Sequence, residues 1–247
     1  MYANVNGLKM YYEVHGEGKP LVLLHGGLMT IDMAFGALLP DLAENRQVIA
    51  AELQGHGHTA DIDRPIELRD LASDVAGLLD HLDVASTDVF GFSLGGGTAL
   101  QFVLDHPGRV NRAIIGSIAY SPDGFHQEIF DPAQWATSTR MPTADDFAQM
   151  HDAYVNVAPD PGHFAAFAAK LQSAAQSPTS WTPEELAAIT APVLLVYGDH
   201  DFFRLEHAVE LYDLIPGAQL AILPGTTHMG VLRRTALIHP LVEEFLG

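Results

Sequence analysis

The chain has 247 residues, 31 acidic against 12 basic side chains, no cysteine and a formal net charge of −19. At 48% hydrophobic and 17% charged residues it is neither disordered nor low-complexity, and its length suits one α/β core. The acidity leaves no basic stripe for nucleic acid or an anionic membrane surface, and the missing thiols exclude disulfides, thiolate metal sites and a cysteine nucleophile.

The opening residues, Met1 to Gly7, show neither the basic start nor the apolar stretch of a signal peptide. No apolar run approaches the ~20 residues of a bilayer span. The expectation is a cytoplasmic protein whose partners are small molecules, with no nucleic acid and no membrane among them.

Alternating residues on both sides of Asn6-Gly7 predict an antiparallel hairpin, since that dipeptide suits a two-residue turn. After the Gly16-Glu17-Gly18 turn comes Leu21-Val22-Leu23-Leu24, a continuous apolar run of the kind found in strands covered on both faces. Such runs recur at Val48-Ile49-Ala50, Val89-Phe90, Ala113-Ile114-Ile115, Val193-Leu194-Leu195-Val196 and Leu220-Ala221-Ile222-Leu223. Helical spacing separates most of them. It is clearest after Pro65, where Leu68, Leu71, Val75, Leu78, Leu79 and Leu82 recur at steps of three and four. Strands alternating with helices predict βαβ units: a mainly parallel, twisted sheet with helices on both faces. From about 121 to 188 the β runs stop, while proline, alanine and aromatic residues abound. The expectation is a small helical insertion lying on a core formed by residues 1–120 and 189–247.

The sharpest chemical signal is Gly91-Phe92-Ser93-Leu94-Gly95-Gly96-Gly97, between the strand Asp88-Val89-Phe90 and a helical pattern from Thr98. A serine on a tight strand-to-helix turn has its Oγ pushed clear of the sheet, and flanking glycines remove Cβ atoms that would clash. The helix behind it offers free amides and its positive end to a developing oxyanion. His25-Gly26-Gly27, directly after the Leu21–Leu24 run, is a strand-end turn able to supply a second amide; Gly27 and Leu94 are the expected oxyanion donors. Two further strand ends carry Tyr197-Gly198-Asp199-His200-Asp201 and Gly225-Thr226-Thr227-His228. Side chains at these carboxyl ends of parallel strands gather on one sheet edge. The order Ser93, Asp201, His228 is the one a nucleophile-elbow site requires.

With these motifs the chain resembles the α/β-hydrolase superfamily, in its capped esterase and lipase-like branch. The likeness extends to Glu52-Leu53-Gln54-Gly55-His56-Gly57-His58-Thr59, where Glu52 and Thr59 stand in place of the usual Asp and Ser of a structural loop. It implies serine-dependent hydrolysis of a carboxylic ester: Ser93 attacks, His228 relays the proton and Asp201 orients His228. The resemblance implies Asp201 rather than Asp199, because the family's Gly-x-x-Asp spacing maps onto Gly198 and Asp201; Asp123 is a distant third, at a place where some members of the family hold their acid. No cofactor or metal is implied. His56-Gly57-His58 with Asp61 is similar to a metallo-lactonase motif, but that motif's aspartate is displaced and no further histidine follows. Lactone hydrolysis, C–C bond hydrolysis and peracid formation use the same machinery, and a non-catalytic ligand receptor shares the fold. The expected substrate contacts are His25 and Phe92, beside the two loops, and Phe125, Phe130, Trp135 and Phe147 from the insertion. Such a pocket favours a neutral, moderately apolar ester or lactone.

Overall fold

The computed structural model describes residues 1–135, 137–175 and 179–247. Residue 136 and residues 176–178, inside the expected insertion, lie outside the described residues. The chain opens with β1 (Tyr2–Val5) and β2 (Leu8–His15), joined by Asn6 and Gly7 at φ 49° and 82°. Positive φ at both positions gives the turn a twist that matches the strands it joins. The remaining strands are β3 (Lys19–Leu24), β4 (Arg46–Ala51), β5 (Thr87–Phe92), β6 (Val110–Gly116), β7 (Val193–His200) and β8 (Gln219–Thr227).

These strands make one sheet in the order β1-β2-β4-β3-β5-β6-β7-β8. β2 is antiparallel to β1 and β4, and β3 to β8 run parallel. The apolar runs are continuous because successive residues feed opposite faces. Val22 and Leu24 of β3 join one core cluster, and Leu21 and Leu23 join the other. The first cluster is closed by α3 (Leu68–His81), α4 (Leu94–Asp105) and α9 (Leu205–Leu214), the second by α1 (Ile31–Phe35), α2 (Leu39–Leu42) and α10 (Thr235–Leu246).

Between β6 and β7 the described residues form α5 (Pro132–Trp135), α6 (Ala144–Val157), α7 (Phe164–Ala175), α8 (Pro183–Ala187) and short 3-10 turns. Tyr154, Phe167 and Trp181 from this stretch are buried against the first cluster, and the Trp181 indole donates to Gln101 Oε1 at 2.9 Å. The root of the segment is paired with the chain after β7. His126 N–H donates to the Phe202 carbonyl at 2.9 Å, and Arg204 N–H to the Gly124 carbonyl at 2.8 Å. Among the described residues, no helix is long and apolar enough to cross a membrane.

The order of strands determines where a site can form. From β3 the chain moves to β4 on one side, then returns to β5 on the other. Loops leaving β3 and β5 at their carboxyl ends therefore diverge, and the crevice between them lies open. His25-Gly26-Gly27 and Ser93 follow those two strands directly.

Candidate active site

Ser93 sits between β5 and α4 at φ 56° and ψ −116°, a conformation that costs energy for any residue with a side chain. The surroundings enforce it. A Cβ on Gly91 would run into the Gly95 carbonyl, and one on Gly95 into the carbonyl of Leu24. Ser93 N–H is tied to the Gly116 carbonyl at 2.8 Å, and Gly95 N–H to that of His25 at 3.0 Å. The elbow is thus clamped between β3 and β6. Leu94 is the first residue of α4, where an amide has no intrahelical partner. In the facing loop, Gly26 is tight, with Met29 Sδ 3.1 Å and Phe92 3.2 Å from where a Cβ would stand. A Cβ on Gly27 would meet nothing within 4 Å, and Gly27 lines the cavity beside Ser93.

The Ser93 hydroxyl lies 3.0 Å from His228 Nε2, and His228 Nδ1 lies 2.7 Å from Asp201 Oδ1. A carboxylate can only accept, so the ring proton resides on Nδ1 and Nε2 is left to accept from Ser93. Asp201 is fully buried and satisfied on both oxygens: Oδ1 also accepts from Phe202 N–H at 2.7 Å, and Oδ2 accepts from the Ser117 hydroxyl at 2.6 Å. Burial pushes its carboxyl up, but His228, Ser117 and the Phe202 amide outweigh that and hold it below the usual carboxylate range. Asp199 faces elsewhere. It accepts from the amides of Gly225 and Thr226 at 2.8 Å each, bracing the approach to His228, and the Thr226 amide, the His200 ring at 2.9 Å and the Gly225 amide hold its carboxyl far below the usual range. Asp123 is exposed and engages Ser121. A hydroxyl held on a neutral imidazole that is itself backed by a buried carboxylate can pass its proton to the ring as the oxygen attacks a carbonyl.

Ser93 opens into a cavity of about 180 Å³. Its walls include Met29, Phe92, Phe202 and Met229 from the core, and Pro142, Phe147 and Met150 from the segment between β6 and β7; among the described residues no lysine, arginine or carboxylate lines it. Phe92 and Phe147 are therefore where the sequence places them. His25, Phe125, Phe130 and Trp135 are not. His25 is buried behind the loop, donating from Nδ1 to the Gly26 carbonyl at 2.8 Å and accepting from Leu53 N–H at 3.1 Å. Burial lowers its pKa to about 4, so it stays neutral and shapes the loop. Phe125 packs on Phe203 and Phe130 at 4.8 and 5.1 Å between ring centroids. Phe130 is half exposed, and Trp135 is exposed with its indole N–H bonded to the Ile129 carbonyl at 3.1 Å.

The side chains of the Glu52–Thr59 loop brace the loop itself and its neighbours, with Thr59 Oγ1 also accepting from Tyr11 N–H at 2.8 Å. Glu52 Oε2 accepts from His58 N–H at 2.6 Å and from its ring at 3.0 Å, while the Thr59 hydroxyl returns a bond to the Glu52 carbonyl at 2.8 Å. His56 bonds the Gln54 carbonyl, and Asp61 pairs with Lys170 at 2.8 Å. The residues of the metallo-lactonase-like pattern thus point to separate partners.

Sequence reasoning missed Ser117, Phe202 and the methionines. Ser117 had a usable signal: it directly follows β6, as Ser93 follows β5 and Asp201 follows β7.

The sequence matches the family described as alpha/beta hydrolase fold over residues 19–158. The chain belongs to the α/β-hydrolase family. This α/β hydrolase is 29% identical to the 2-hydroxymuconate semialdehyde hydrolase of Pseudomonas sp. strain CF600, over 98% of this chain and 91% of the relative. It is 27% identical to the carboxylesterase YbfK of Bacillus subtilis strain 168, over 93% and 81% of the two chains. The fold of the enol-lactonase from Burkholderia xenovorans LB400 superposes with a TM-score of 0.80 at 24% identity, covering 100% of this α/β hydrolase and 99% of that chain.

Proposed function

We propose that this α/β hydrolase cleaves small, neutral carboxylic esters through an acyl-enzyme on Ser93. The observation that carries the reading is the continuous chain of hydrogen bonds Ser93–His228–Asp201 opening into an uncharged cavity. Ser93 Oγ attacks the ester carbonyl while its proton passes to His228 Nε2, and the amides of Leu94 and Gly27 receive the oxyanion. Collapse expels the alcohol, which takes the proton from His228. Water then repeats the cycle and releases the acid. Asp201 keeps the imidazole oriented and offsets its transient charge. No cofactor enters this scheme.

The cavity bounds the substrate. At about 180 Å³ and with apolar walls, it suits a short acyl group. We read residues 121–188 as a cap, because Pro142, Phe147 and Met150 supply one wall. A lactone offers the same neutral acyl bond and fits the same wall chemistry, so lactone hydrolysis is the second reading. C–C bond hydrolysis uses the same triad, but the relative named a 2-hydroxymuconate semialdehyde hydrolase has, by that name, a carboxylate-bearing substrate. The absence of any cation among the described cavity residues counts against it, as does the net charge of −19.

The test is a series of p-nitrophenyl esters from acetate to decanoate, with an anionic ester of matched size and the Ser93→Ala variant. Turnover is expected to peak at two to about six acyl carbons, and Ser93→Ala to lose up to ~10⁶-fold. Retention of a tenth of the activity in Ser93→Ala, or preference for the anionic ester, would overturn the reading.

A further inference from the structure

Phe202 sits between the acid and the base without exchanging a proton with either. Its ring lies flat on the imidazole of His228, with centroids 3.9 Å apart and planes 15° from parallel. Phe92 and Phe203 border the same imidazole at wider angles, 36° and 61°. The amide of Phe202 meanwhile donates at 2.7 Å to Asp201 Oδ1, the oxygen that also accepts from His228 Nδ1. Its carbonyl is held by His126 N–H at 2.9 Å. The residue is thus fixed on three sides: to the acid by its amide, to the inserted segment by its carbonyl, and to the base by its ring.

The face of a phenyl ring carries partial negative charge, so it attracts a cation lying over it and gives a neutral ring much less. His228 is neutral when Ser93 is protonated. It becomes a cation only as Ser93 Oγ bonds to the carbonyl carbon, the carbonyl electron pair moves to oxygen and the hydroxyl proton moves to Nε2. An interaction that strengthens only at that point lowers the barrier without tightening substrate binding.

We propose that Phe202 is a positioning residue: its ring face holds the His228 imidazole in line between Ser93 and Asp201 and stabilises the charge it gains during attack. This rests on the Ser93–His228 chemistry proposed above. Phe202 also lines the cavity, so a pocket role and a role through His228 must be told apart. They differ in the parameter they move. A wall residue acts mainly on KM, whereas a residue acting on the protonated imidazole acts on kcat.

The experiment compares wild type, Phe202→Leu, Phe202→Tyr and Ser93→Ala on p-nitrophenyl butyrate, with melting temperatures alongside. Leucine keeps the apolar bulk and the amide but removes the flat face; tyrosine restores the face. Phe202→Leu is expected to lose about 2- to 30-fold in kcat with KM changed less than about twofold. Phe202→Tyr is expected to recover most of the loss. Should the leucine variant fail to fold, Phe202→Met serves the same comparison. A folded Phe202→Leu with wild-type kcat, a loss confined to KM, or an equal loss in Phe202→Tyr would each overturn the proposal. Turnover surviving in Ser93→Ala would overturn the underlying serine chemistry as well, whereas a dead Ser93→Ala beside a kcat-neutral Phe202→Leu removes the Phe202 role alone.

Discussion

The hydroxyl of Ser117 donates to Oδ2 of Asp201 at 2.6 Å, leaving Oδ1 to His228. Ser117 is fully buried and held at φ 55°, with its own amide tied to the Val196 carbonyl at 2.9 Å. A backbone in the left-handed region outside glycine costs energy, and here it aims one hydroxyl at one carboxylate oxygen. Removing it in Ser117→Ala leaves that buried oxygen with only the longer bond from Gly198 N–H, at 3.3 Å. A hydrogen bond to a charged group contributes about 1.5–3 kcal/mol to stability, and because this one is already made at rest, only its part in keeping Asp201 aligned on His228 reaches the barrier: Ser117→Ala should melt lower and lose a few-fold to about tenfold in kcat. Steady-state kinetics on p-nitrophenyl butyrate measure it, and an unchanged kcat would refute the role.

The two carboxylates after β7 make a matched pair for mutagenesis. Asp201→Asn removes the charge facing His228 and favours the wrong tautomer, with an expected loss of ~10⁴-fold in kcat. Asp199→Asn keeps one acceptor for the Gly225 and Thr226 amides and lies away from His228. Its activity should stay within a few-fold of wild type, with a small drop in melting temperature. The opposite ranking would transfer the role to Asp199.

Stability should fall on mild acidification. His25 and His56 are buried with their rings 4.7 Å apart, and burial lowers the pKa of His25 to about 4 and that of His56 well below its ordinary value. Each is neutral in the folded chain but gains a proton in the unfolded chain below about pH 6.5. The unfolded state therefore binds more protons as pH drops, and stability declines from about pH 6.5 downward, ceasing for His25 below about pH 4. The slope is about 1.4 kcal/mol per pH unit for each histidine. Urea midpoints should hold nearly level from pH 7.5 to about 6.5 and fall from there to pH 5, where most carboxylates remain ionised; a flat series across the whole range would contradict this.

Gly91, near the end of β5, and Gly27, in the loop after β3, should respond in opposite ways to the same methyl group. Gly91→Ala drives a Cβ into the Gly95 carbonyl and to 2.8 Å from the Ala99 Cβ, all within a packed core. A cost of about 1–3 kcal/mol or more is expected, seen as a lower melting temperature or failure to fold. Gly27→Ala meets nothing within 4 Å and should melt within about 0.5 kcal/mol of wild type. Equal melting temperatures for the two variants would show that the elbow is looser than this packing implies.

The fold was legible because parallel strands buried on both faces write themselves as apolar runs, and the hairpin because Asn6 and Gly7 accept positive φ. The site was legible in the same measure: Ser93, Asp201 and His228 each follow a strand, and strand ends converge. Side-chain facing was not. Phe130 and Trp135 lie on a 3-10 turn and on the short helix Pro132–Trp135, too brief for periodicity to indicate a buried side. Of the aromatics expected from this segment only Phe147 lines the cavity, and Pro142 and Met150 stand beside it in place of the others. Met29, Met150 and Met229 meet across distant stretches of chain, and methionine has no local signature for lining a cavity. Ser117 stood at a strand end like the triad residues, but serine is common there and its role depends on a carboxylate 84 positions away.

The pairing of Gly124 and His126 with Phe202 and Arg204 joins two parts of the chain that an engineer would treat as separate modules. Exchanging the stretch between β6 and β7 for that of another enzyme is an obvious way to change substrate range. Here such a graft cut at residue 121 would also replace the partners of Phe202, and with them the lateral support of the residue after Asp201. A donor segment must bring its own matching strip, or the junctions must be moved inward past residue 126 so that the native lacing stays with the recipient.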